Sequence, residues 1–116
     1  MADIKRLDQT HRRARAVIAN GFVFLTGQVA DDKSGDATVQ TRQALAKVEA
    51  ALSAAGSSKD KIVSAQIWLR SMDDYDAMNA VWDGWVVPGR TPVRCCGRVD
   101  LADPAYRIEV VAVGAL

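Results

Sequence analysis

Arg94 and Glu109 stand mid-way in segments that are mostly apolar or small. Arg94 lies in Pro92-Val93-Arg94-Cys95-Cys96-Gly97, and Glu109 lies in Tyr106-Arg107-Ile108-Glu109-Val110-Val111-Ala112-Val113. A buried guanidinium without a partner is prohibitively costly, so Arg94 must reach solvent or find an anion. Its planar fork suits a carboxylate held by two parallel hydrogen bonds. The alternative is that Arg94 and Glu109 satisfy each other, or neighbouring polar groups, at a subunit interface. Cys95 and Cys96 could supply a nucleophile whose pKa falls beside Arg94. No histidine base is near them in sequence, and small buried apolar residues are the simpler role. Asn79 could donate to a ligand or face solvent. Trp82 and Trp85 could stack a ligand, but a spacing of three suits packing of a helix on a sheet. His11, the one histidine, has no obvious partner. No glycine-rich phosphate loop, nucleophile elbow or HExxH zinc motif is present.

These residues need strands and helices to hold them. Ala16–Ala19 and Phe22–Gln28 flank Asn20-Gly21, the strongest short-range hairpin signal. The loop at 31–36 is polar, and Asp36 can cap a helix running from Ala37 to Ala55. Val39, Leu45, Val48, Ala51 and Leu52 recur there at helical spacing, and Gly56 closes it. Ile62–Leu69 reads as a mostly buried strand. Asp73-Asp74 caps a second helix with Tyr75, Met78, Val81, Trp82 and Trp85, stopping before Pro88-Gly89. Two strands follow, Val93–Val99 and Tyr106–Val113, joined by a turn at 100–104. Residues before Ala16 read as a polar, basic lead-in.

The order is ββ-α-β-α-ββ, an α+β fold in which both helices cover one face of a single sheet. The last strand is apolar on both sides: Tyr106, Ile108, Val110 and Ala112 on one, Val111 and Val113 on the other. An open apolar face must be buried elsewhere, so the pattern predicts a homo-oligomer without giving its copy number.

At 116 residues the chain is expected to form one domain, residues 1–116. A net charge of +1 implies neither nucleic acid nor an anionic membrane. The basic stretch Lys5, Arg6, Arg12, Arg13, Arg15 could be a phosphate-contacting arm, but it lacks interleaved aromatics and reads as a solvated segment. No apolar core of a signal peptide follows the charged start, and no run suffices to span a bilayer. Adjacent cysteines on a strand point to opposite faces and cannot readily bridge, and with one histidine they make no standard zinc site. A cytoplasmic protein without metal or other cofactor is expected.

At these residues the chain resembles the reactive-intermediate deaminase (RidA/YjgF) family. The resemblance is carried by Leu25-Thr26-Gly27-Gln28-Val29, by Gln40-Thr41 opening a helix that ends at Ala55-Gly56, and by Met78-Asn79. Pro92-Val93-Arg94-Cys95-Cys96 and Ile108-Glu109-Val110 complete an ordered set from about Arg15 to the C-terminus. Trp82-Asp83-Gly84-Trp85-Val86-Val87 is closer still to the YoaB-like bacterial branch. The resemblance implies a chorismate-mutase-like homotrimer with three clefts between subunits. It also implies hydrolysis of 2-imino acids, enamine tautomers in origin, to 2-keto acids and ammonia. Arg94 would anchor the substrate carboxylate, and Glu109 would orient water or shuttle a proton. The backbone around Cys96 would line the pocket, Thr26 stands where the family often has serine, and Asn79 matches a position near the cleft. Arg13 occupies the place where active members carry a tyrosine, and a second arginine there suits a more anionic ligand.

Two other readings belong to different classes. The same fold could bind a small carboxylate such as a 2-keto acid without turning it over. Ribonuclease activity, attached to family relatives, lacks here a histidine–lysine constellation for RNA cleavage.

Overall fold

A computed structural model describes residues 3–116. The strands are β1 (Ile4–Leu7), β2 (Ala16–Ala19), β3 (Phe22–Leu25), β4 (Ile62–Leu69), β5 (Val93–Arg98) and β6 (Ile108–Ala115). The helices are α1 (Ala37–Ala54) and α2 (Tyr75–Trp85). All six strands form one sheet in the order β1-β2-β3-β6-β4-β5. The β4–β5 pair is parallel and its crossover is α2; the other pairs are antiparallel. The last two strands therefore do not pair with each other, because β6 is inserted between β3 and β4. Among the described residues, no helix is long and apolar enough to cross a membrane.

The local signals explain most of these elements. Asn20 and Gly21 both take positive φ, 51° and 79°, as the tight turn joining β2 and β3 requires. Asp36 caps α1 by accepting from the Val39 N–H at 2.9 Å, and Gly56 ends it at φ 88°. The second cap is different from expectation. Asp74 stands at the start of α2 without accepting a capping bond, and its carboxylate meets Arg107 at 3.3 Å. Ser71 caps the preceding turn instead, accepting from the Asp73 N–H.

The N-terminal segment is also a correction. Residues 4–7 are an edge strand on β2, not a free lead-in. An edge strand bonds on one side only, so Lys5 and Arg6 stay exposed while Leu7 alone packs against the core. The final strand begins at Ile108, two residues later than expected, and Tyr106 lies outside it beneath the Lys33 ammonium.

One face of the sheet is finished. Val23, Leu25, Ala65, Ile67, Leu69, Ile108, Val110 and Ala112 meet Leu45, Val48 and Leu52 of α1 and Met78 and Trp82 of α2 in a closed core. Gln40 is fully buried within α1 and fully employed. Its Nε2 donates to the carbonyls of Lys33, Gly35 and Ala105, and its Oε1 accepts from the Arg107 N–H. One amide thus ties the loop before α1 to the loop before β6, leaving neither set of backbone groups unpaired.

The other face is bare. Phe22 and Phe24 are 41% and 46% exposed there, and Val93 is 72% exposed on the edge strand β5. The pairings Val17↔Phe24, Phe24↔Val113 and Ser64↔Val113 carry this surface across the sheet. The expectation of a sheet apolar on both sides but covered on one is met.

Candidate functional site

The side of the sheet on which each charged residue lies follows from the register. Arg94 pairs with Ala65, which pairs with Ala112, so all three share the helix-covered face. Glu109 pairs with Trp68, which pairs with Gly97, and these share the bare face. Arg94 and Glu109 are therefore on opposite faces with β4 between their strands. Within one chain they do not neutralise each other.

Arg94 is half-buried where β5 passes α2. Its Nη1 donates to Asn79 Oδ1 at 2.8 Å, and the guanidinium carbon lies 5.3 Å from the Trp82 ring centroid. Asn79 and Trp82 are three residues apart, which puts both on one side of the helix. The amide acceptor and the aromatic face hold the cation without cancelling its charge. Among the described residues, no carboxylate lies in ion-pair range of Arg94. Its remaining N–H groups have no protein acceptor among oxygen atoms of the described residues, and a shallow depression along β4 and the edge strand, lined by Ser64, Ala65, Gln66, Val93 and Cys95, lies beside it.

The cysteines take the simpler role. Cys95 is exposed and Cys96 half-buried against the core. Burial pushes the Cys96 thiol up, outweighing the opposing effect of Arg94, so it is a poor thiolate at neutral pH.

The remaining candidates cluster elsewhere. Just past β3, Thr26, Gly27 and Gln28 form one wall of a cleft of about 490 Å³. The opposite wall is the loop between β1 and β2, which brings Asp8, Thr10, Arg13 and Arg15, and Lys47 and Ala50 of α1 close the end. Glu109 approaches Gly27 from the bare face, outside that cleft: a Cβ added to Gly27 would overlap its carboxyl group. Gly27 is thus a glycine because a carboxylate needs its space.

The candidates fall into two groups. Arg94, Asn79 and Cys96 belong to β5 and α2. Arg13, Thr26 and Glu109 converge on Gly27. His11 is exposed in the β1–β2 loop and joins neither. For Trp82 the sequence favours the core over ligand stacking. It is buried and also lies under Arg94, a role signalled only by its spacing from Asn79.

An α+β protein is thereby defined, with a six-stranded sheet, both helices on one face, a bare apolar face, and an arginine held ready for an anion. The sequence matches the profile of the family described as endoribonuclease L-PSP over residues 3–116. It is 40% identical over 113 residues to the RutC family protein YoaB of Escherichia coli, covering 97% of this chain and 98% of that one. A RutC family protein of Haemophilus ducreyi is 37% identical, with 97% of each chain covered. The crystal structure of a YjgF family member from Neisseria meningitidis superposes with a TM-score of 0.93 at 42% identity, covering 97% of this chain and 94% of that one. The chain belongs to the L-PSP/YjgF/RutC family.

Proposed function

We propose that the protein hydrolyses 2-imino acids in pockets completed between copies of a homotrimer. The observation that carries this reading is the state of Arg94, oriented by Asn79 and Trp82 with no carboxylate of its own chain to bind. A substrate carboxylate supplies that partner through two parallel hydrogen bonds. The carbon of its C=N⁺ group is then presented to a water molecule oriented by Glu109. Water adds to that carbon, the C–N bond of the resulting carbinolamine breaks, and the products are a 2-keto acid and ammonia. No oxidant, reductant or cofactor enters this balance.

Two features support completion by a second copy. Arg94 and Glu109 cannot serve one small molecule from opposite faces of one sheet, whereas a neighbouring copy can bring its Gly27 region against this chain's β5. The bare face around Phe22, Phe24 and Val113 also has apolar area to bury against further copies. The free thiols of Cys95 and Cys96 suit a reducing cytoplasm.

The test is an imine assay in which an amino-acid oxidase generates 2-imino acids and semicarbazide traps those that survive. Wild type lowers the trapped product, and Arg94→Ala does not. If wild type leaves the trapped product unchanged while a 2-keto acid still binds, the same pocket is a carboxylate sensor and the hydrolase reading fails.

A further inference from the structure

We infer that the ligand carries a second carboxylate, and that Arg13 selects it. This inference rests on the pocket proposed above and names its substrate class: 2-imino or 2-keto dicarboxylic acids of the kind derived from acidic amino acids.

The loop from residue 8 to residue 15 is built rather than slack. The Thr10 hydroxyl donates to the Arg13 carbonyl at 3.1 Å and accepts from the N–H groups of Arg12 and Arg13. The Thr10 N–H donates to the same carbonyl at 2.7 Å. The Arg15 N–H bonds to the Leu7 carbonyl and the Arg15 carbonyl accepts from the Thr26 N–H, fixing the loop to both β1 and the end of β3. Arg13 is thus held on a tied turn across from Thr26 and Gly27.

The charges in this cleft do not cancel. Arg15 is paired with Asp8 at 3.4 Å and Lys47 with Asp31 at 2.9 Å. Among the described residues, Arg13 has neither an ion pair nor a side-chain hydrogen bond. No aromatic residue lines the cleft, and its apolar contribution comes from Val29 and Ala50 alongside the charged groups. Arg94 takes the carboxylate common to all 2-imino acids, which leaves Arg13 for the group at the far end of the substrate. A guanidinium fork suits a second carboxylate and rejects a methyl or methylene terminus, which would strip water from the charge without replacing it.

Calorimetric titration of the full chain with 2-oxoglutarate and with 2-oxobutyrate reads this selection whether or not the protein turns imines over. The expected result is at least tenfold tighter binding of 2-oxoglutarate by wild type, at matched ionic strength. Arg13→Gln should shrink that preference to threefold or less, and Arg13→Lys should restore part of it. Arg13 is exposed, and a thermal melt of each variant confirms that the fold is kept. Equal affinity for the two acids in wild type, or an undiminished preference in Arg13→Gln, overturns the inference. If in that case Arg94→Ala still abolishes binding of both acids, the pocket reading survives and only the dicarboxylate class is wrong. If neither acid binds wild type, or Arg94→Ala binds both as well as wild type does, both readings fall together.

Discussion

The two faces of the sheet are made by alternate residues of the same strands, yet one is complete within the chain and the other is not. On the covered face Ile67, Leu69, Ile108 and Val110 are no more than 1% exposed. On the bare face Phe22, Phe24 and Val93, contributed by β3 and β5, remain open to water. The candidate site is divided along the same line, with Arg94 on the covered face and Glu109 on the bare one. Under the proposed trimer, a second copy would both cover the bare face and bring a Glu109 to the Arg94 of its neighbour.

A charge on the bare face has the largest expected effect. Phe24→Asp would place an unpaired carboxylate in any interface formed there. Light scattering should then fall from about three copies to one, with loss of imine hydrolysis. A stable monomer in wild type would sink the trimer reading at once. On the covered face, Arg94→Ala should cost roughly 100-fold or more in kcat/KM, since two charge-assisted hydrogen bonds are lost. Light scattering should hardly move and the melting temperature should fall only by a few degrees, because the chain itself loses one hydrogen bond to Asn79 and the contact with Trp82.

Gln40→Leu separates architecture from chemistry. It would orphan the Arg107 N–H and three carbonyls, and a loss of about 2–4 kcal/mol in denaturant unfolding is expected. Gly27→Ala acts on the group around Glu109 alone. The added methyl displaces the Glu109 carboxyl group, so kcat should drop about tenfold while the substrate anchored by Arg94 keeps a similar KM. An unchanged kcat would remove Glu109 from the mechanism. The smallest effect is at the start of α1, where Asp36→Ala loses one cap and about 1 kcal/mol. Activity per folded molecule should be unaffected.

The elements were legible where local chemistry dictates them. Asn20-Gly21 demands a tight turn, Asp36 and Gly56 bracket a helix, and Ile62–Leu69 announces a buried strand. The edge strand β1 escaped notice because it needs only Leu7 as an apolar anchor, and its hydrogen bonds come from a partner strand rather than from its own residues. The sequence places Asp74 at the N-cap of α2, as found, but not the destination of its carboxylate, which meets the guanidinium of Arg107, 33 residues away, instead of a backbone N–H. The significance of Gln40 was legible only as a pattern. Its four partners lie in two loops that meet only after folding.

For the candidate site, the sequence by itself determined the types: an arginine and a glutamate in apolar strands, a mid-helix asparagine, a cation at Arg13. Residue type sets what a group can donate, accept or neutralise, and that is a local property. Whether Arg94 and Glu109 meet is not local. The strand order β3-β6-β4-β5 and its register put them on opposite faces, and the hairpin of β1 with β2 carries Arg13 to Thr26. Only the tertiary structure decided these placements, because they depend on which strands pair and in what register, a choice made by packing across the whole sheet.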